Sequence, residues 1–429
     1  MTTRRSFFQK SLGIASGLSL SPLACAVAAE NISDALVSLN KLSAEESAND
    51  EELWERMAQA YTVSPSLLNL NNGGVSPQPK VVQDAVDRYY HLSNEAPTYY
   101  MWQILDKGRE PLRRKLADLA GTSPDTVAIN RNATEALATV TWGLSLNKGD
   151  EIIMTKQDYP NMIHAWKQKE LRDGIRIKWL NFSLPIEKED DVVKSYVEAT
   201  SSATRIWHIT HMINWTGQIM PVKRLCEEAR RRNIISIVDG AHTFAHMDFK
   251  VTDFNPDYYG TSLHKWLCAP FGTGMLYVKK ENIGGLWPLF PNDKPQSADI
   301  RKFETLGTRS FAPEQAIGQA IDFHNAIGSQ RKAQRLHFLK TYWCEKVVKN
   351  QRVRLNVSLN PQFSCALGNF SVDGMEPEIV ANRLMGEFQI HTVAIKWENI
   401  SGVRVTPHIY TTTKDLDRFV DAVLKIAAS

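Results

Sequence analysis

Apolar runs of strand length that alternate with amphipathic segments constrain this chain more than any other feature. Strands are expected at 126–129, 151–155, 175–180, 205–210 and 234–238, with helical spacing between them from Ala133, through Trp166, around Val192 and over 222–232. This βαβα rhythm builds an α/β fold with a largely parallel sheet wrapped by helices. Runs at 258–262 and 274–278 bring the expected strands to seven, the last antiparallel because only a short connection precedes it. From Pro313 to Asn350 the pattern is helical with few breakers, and shorter elements follow. The expected organisation is an arm over 29–75, a large domain over 76–312 and a smaller C-terminal α+β domain over 313–429. A long helix would carry the small domain, with the arm packed on it.

The first 28 residues read as an address rather than as fold. Arg4-Arg5-Ser6-Phe7-Phe8 precedes a mildly apolar stretch to Leu23, and Ala26-Val27-Ala28 supplies small residues of the cleavage-site kind. The paired arginines predict a twin-arginine signal, hence export machinery as a partner and delivery of an already folded protein to the periplasm. Cys25 offers a lipid anchor as the alternative, but Pro22 stands where such sites carry a branched apolar residue. Arg4, Arg5 and Lys10 also account for the formal charge of +3, so the rest of the chain carries as many bases as acids. That balance gives no electrostatic case for a nucleic-acid partner. No other stretch approaches 18 uninterrupted apolar residues, so no membrane span is expected. Five cysteines without a CxxC pair make neither a disulfide framework nor a zinc site.

Chemistry concentrates at three strand ends. Lys265 follows Ser262-Leu263-His264 at the end of an expected strand and precedes Pro270-Phe271-Gly272-Thr273-Gly274. An isolated lysine is usually a solvated surface group. Asp239, however, ends another apolar run, where open α/β sheets bind ligands, although alone it equally fits a helix N-cap. At Asn130-Arg131-Asn132-Ala133-Thr134 a strand turns into a helix, whose free N–H groups and dipole suit a phosphate, with simple capping as the plain alternative. An amine, an acid and a phosphate-ready helix start are what pyridoxal 5′-phosphate requires.

With His211-x-x-Asn214, Thr216-Gly217-Gln218, Asp239-Gly240-Ala241-His242, Gly307-Thr308 and Arg404-Val405-Thr406-Pro407-His408, these pieces occur in one order from about Leu67 onward. The chain resembles the class V aminotransferases of the pyridoxal-phosphate fold type I, which include cysteine desulfurases and isopenicillin N epimerase-like proteins. A periplasmic, siderophore-tailoring transaminase-like branch fits as well. The resemblance implies Lys265 as Schiff-base lysine and proton shuttle, and Asp239 on the ring nitrogen. Tyr159 would stack on the ring, His242 would lie beside the ring hydroxyl, Asn214 would bond that hydroxyl or the substrate, and Asn132, Ala133, Thr134, Ser262 and His264 would hold the phosphate. Gly307 and Thr308 would complete the phosphate site of a second copy, making a homodimer with a shared site. Arg404 would grip the substrate carboxylate near Gly73 and Gly74.

The resemblance is not uniform. Desulfurases carry a nucleophilic cysteine shortly before the Arg404 segment, and residues 389–403 contain none. Cys268 reads as a packed thiol. Tyr99, Tyr100 and Trp102 fit either a substrate pocket or packing. The reaction expected is transamination of an amino acid or an amino-acid-containing secondary metabolite, with epimerisation second, a carbon–sulfur lyase third and a non-catalytic binding protein last.

Overall fold

The structure, a computed structural model, describes residues 22–429, with side chains from residue 30 onward. Arg4, Arg5, Lys10 and the side chain of Cys25 lie outside the described residues, and with them the expected export signal. No helix among the described residues is long and apolar enough to cross a membrane.

The arm comprises helices Pro22–Leu39, Ala44–Ala48 and Glu51–Ala58 and strand β1 (Leu68–Asn69). Ser43 and Glu46 close a reciprocal capping box at the second helix, satisfying two otherwise free N–H groups. Leu39, Trp54 and Met57 are buried against Met212 and Trp266 on one side and Leu336, Leu367 and Ile409 on the other. The arm therefore packs across the boundary between the domains.

The large domain is built on β2 (Val127–Asn130), β3 (Glu151–Thr155), β4 (Arg176–Leu180), β5 (Thr204–Thr210), β6 (Ile235–Asp239), β7 (Tyr258–Ser262) and β8 (Gly274–Val278). Their order across the sheet is β2-β8-β7-β6-β5-β3-β4. Neighbours are parallel except at β8, which runs antiparallel to both β2 and β7. Helices cover both faces, so β2, β3, β7 and β8 are buried at every residue. Burial on both faces explains why these strands read as continuous apolar runs rather than alternating ones.

The expected long helix is two helices, Ala312–Ile327 and Ser329–Val347. Gly328 separates them at φ +91°, a conformation open to glycine and strained for other residues. The first helix buries Ala316, Ile317, Ala320 and Ile321 in the large-domain core, and the second buries Leu339, Trp343 and Val347 in the small one. The small domain adds β9 (Val353–Leu355), β10 (Gly368–Val372), β11 (Ile390–His391), β12 (Val393–Trp397) and β13 (Ile400–Val405). An antiparallel sheet β12-β13-β10-β9 forms, while β11 pairs in parallel with β1 and ties the arm down.

Candidate active site

The parallel strands β5, β6 and β7 end side by side, with Thr210 opposite Asp239 and Asp239 opposite Gly260 in register. A cavity of about 470 Å³ opens at these ends. Asp239 is buried, and its Oδ1 accepts the Ala241 N–H at 2.9 Å. Burial raises its pKa above the usual carboxylate value, opposed by that N–H and by the Lys265 charge. Lys265 projects from the turn after β7, and its Nζ lies 3.0 Å from His242 Nε2. Burial lowers the lysine pKa to about 8, the Asp239 carboxylate pulling it back up and Arg404 adding to the depression. Burial, joined by the charges of Lys265 and Arg404, holds His242 well below the ordinary histidine range, so its ring is neutral at pH 7. The Tyr159 ring centre stands 6.0 Å from Lys265 Nζ.

Beneath Tyr159, Asp158 is fully buried and accepts the Thr155 N–H at 3.1 Å, the Thr155 hydroxyl at 2.8 Å and the Thr210 hydroxyl. Burial raises its pKa to about 7 against the pull of those donors. These bonds pin Tyr159, the cap of the helix Pro160–Asp173, to the ends of β3 and β5.

At the other end of the cavity begins the helix Ala133–Gly143. Asn132 caps it, its side chain accepting the Glu135 N–H at 2.9 Å, and the Ser262 hydroxyl accepts the Ala133 N–H at 3.0 Å. Thr134 borders the cavity there, and so does His264, its Nδ1 engaged by the Thr273 carbonyl at 3.0 Å. Gly274 is required here, because a Cβ on it would meet the Asn132 backbone at 2.6 Å. The donor-rich turn thus lies pressed onto the start of β8.

Arg404 reaches the cavity from β13. Its Nη1 donates to the Asn214 carbonyl at 3.0 Å and its Nη2 to Asn71 Oδ1 at 2.8 Å. Its Nε is buried without a partner, and no carboxylate among the described residues pairs with it. Burial lowers its pKa to about 10, so it remains a cation at neutral pH. The backbone around Gly73 passes close by, with the Gly73 N–H donating to Thr406 Oγ1 at 2.9 Å.

All the site residues expected from sequence border this one cavity except Gly307 and Thr308. Those two are exposed and lie apart from it in this chain. Tyr99 and Trp102 are likewise exposed and outside the cavity lining, and Cys268 is a buried thiol 3.4 Å from His408 Nε2. Met212, Trp215, Val393 and Ile395 also line the cavity, beyond the residues expected from sequence. Val393 and Ile395 carry a period-two signal, but nothing in the sequence says that their strand lies beside Arg404.

The arrangement fits pyridoxal phosphate on the donor set itself. A buried acid with an oxygen to spare, a half-buried amine, a helix start with hydroxyls around it and a buried Asn214 Oδ1 lacking a partner all face one space. The sequence profile of the Aminotransferase class-V family matches residues 68–419, and the chain belongs to that family. It is a pyridoxal-phosphate-dependent enzyme of that class. The isopenicillin N epimerase of Amycolatopsis lactamdurans is 27% identical over 87% of this chain and 98% of its own length. A probable cysteine desulfurase of Halalkalibacterium halodurans is 27% identical over 87% of this chain and 96% of its own. The crystal structure of the cysteine desulfurase CsdA from Escherichia coli shares the fold, with a TM-score of 0.77 at 21% identity, covering 87% of this chain and 98% of that one.

Proposed function

We propose that the chain is an exported aminotransferase acting at the α-carbon of an amino acid or of an amino-acid-containing metabolite with a free α-amino group. Bound pyridoxal phosphate supplies an electron sink for charge that develops at that carbon. Thr134, Ser262, His264 and the helix start at Ala133 would hold its phosphate, Asp239 would face its ring nitrogen and Tyr159 would cover its ring. Arg404 binds the substrate carboxylate through a planar guanidinium already held in place by Asn214 and Asn71. Lys265, with a pKa of about 8, takes the α-proton and returns it as a general acid and base suited to near-neutral pH.

The observation that carries this reading is the contact between Lys265 Nζ and His242 Nε2. The two nitrogens lie within hydrogen-bond distance and so serve as one shuttle, whereas the two-base route to inversion places its bases on opposite faces. A single shuttle suits transfer of the proton away from the α-carbon and then onto the cofactor side. Epimerisation is the second reading, supported by the relatives named isopenicillin N epimerase. Desulfuration is disfavoured because the β12–β13 hairpin that borders the cavity carries no cysteine.

Incubation of holoenzyme with a panel of amino acids in deuterated water, without an acceptor, separates the two. Oxo acid formed stoichiometrically with enzyme supports transamination; α-deuterium incorporation with loss of optical purity and no oxo acid supports epimerisation.

The Arg4-Arg5 signal directs export of the folded chain, and a reporter fused to the leader should stay inside the cell when both arginines become lysine. Thr308, exposed beside Gly307, serves the phosphate site of a second copy, so the active enzyme should elute as a dimer in gel filtration.

A further inference from the structure

We infer that the substrate side chain is uncharged and runs along an apolar wall formed by one face of β12. The inference rests on the reading above, in which Arg404 holds the α-carboxylate. Val393 is paired in register with Arg404, so its side chain stands at the shoulder of that guanidinium. Ile395 follows on the same face of the strand, and Trp397 two residues further, by the alternation of side chains along a strand. Trp397 is fixed by its indole N–H donating to the Lys156 carbonyl at 2.8 Å, and it stacks on Trp215 with ring centres 5.3 Å apart and planes at 24°. Starting at the carboxylate clamp, a substrate thus meets Val393, Ile395 and the Trp215 ring in turn.

The charges bordering the cavity are already committed. Among the described residues its cations are Lys265 and Arg404 and its acid is Asp239, the imidazoles of His242 and His264 both being held toward neutrality by burial. Lys156, near the outer end of the wall, is half-buried and pairs with Glu398 at 3.6 Å. Within this chain's share of the cavity, a second carboxylate on the substrate would therefore enter beside valine, isoleucine and tryptophan with no lining cation left to meet it, and a second ammonium would find no free acid there. A charge taken out of water without a partner is strongly disfavoured. An aliphatic side chain, or a carboxylate masked as an amide and continuing outward as part of a larger molecule, meets no such penalty.

The test pairs a binding measurement with turnover on the holoenzyme. Calorimetry with two inert carboxylates of similar length should show 4-methylpentanoate binding at least about tenfold more tightly than glutarate. In single turnover, L-leucine and L-glutamine should react at least about tenfold faster than L-glutamate or L-lysine. Ile395→Arg should reverse the order for glutarate and L-glutamate while leaving the cofactor spectrum as it is. Glutarate binding as tightly as 4-methylpentanoate would overturn the inference, as would equal or faster turnover of L-glutamate. Preference for 4-methylpentanoate with no amino acid turned over would leave the inference standing and remove the proposed function. Rapid turnover confined to L-glutamate would do the reverse.

Discussion

Lys265 Nζ and His242 Nε2 lie 3.0 Å apart although both nitrogens are basic. Such a contact is tolerable because burial strips the histidine of its proton, leaving an acceptor for the ammonium of Lys265. The same burial leaves the lysine only weakly basic, since a charge there is poorly solvated. Backbone topology produces the contact: His242 follows β6 and Lys265 follows β7, and these strands are adjacent and parallel. The pair defines where a proton is held, and the rest of the site is arranged around it.

The lowered pKa makes cofactor capture depend on pH in a definite way. The neutral amine attacks an aldehyde, and its fraction rises with pH through about 8. The rate of pyridoxal phosphate uptake by apoenzyme, followed by absorbance, should therefore climb between pH 7 and 8 and level off above about 9. An ordinary lysine would keep climbing toward its usual value of 10.5.

Gly274→Ala should weaken cofactor binding without unfolding the protein. The added Cβ would meet the Asn132 backbone at 2.6 Å, and the turn that begins the phosphate-side helix must shift. Overpacking of this kind costs about 1–3 kcal/mol, so equilibrium dialysis should show roughly a ten- to hundredfold rise in the dissociation constant. Unchanged affinity would separate this turn from the phosphate.

Replacing Arg404 by lysine keeps the charge but removes the fork that Asn214 and Asn71 hold in place. The expected result is a KM about ten- to hundredfold higher, in keeping with loss of a charge-assisted hydrogen bond, with the cofactor absorbance unaltered. A KM left unchanged would place the substrate carboxylate elsewhere.

Asp239→Asn should retain bound cofactor yet lower kcat by about a hundredfold or more, since removing one preorganised electrostatic contact has effects of that order. Steady-state kinetics beside a cofactor titration checks both halves. Equal losses in binding and kcat would mean that the acid acts on folding of the site instead.

Much of this was legible in the sequence because the pattern and the chemistry coincide. The strands end where Asp239, Ser262 and Lys265 begin to matter, and doubly covered parallel strands announce themselves as apolar runs. The antiparallel β8 followed from its short connection. Two features resisted. The break at Gly328 is a single glycine in a strongly helical stretch, where the chain's own preference gives no sign that the two halves serve different cores. The wall of Val393, Ile395 and Trp215 joins residues from different domains, and only the pairing of β12 with β13 brings it to Arg404. Long-range placement of that sort has no local signature.

Borohydride reduction of the holoenzyme followed by peptide mass mapping identifies the lysine that carries the cofactor, because reduction fixes the cofactor to whichever amine holds it. One cofactor per chain is expected on the peptide containing Lys265, and none on a Lys265→Ala variant that otherwise folds. Label on another lysine, such as the buried Lys332, or no label in a protein saturated with cofactor, would contradict it.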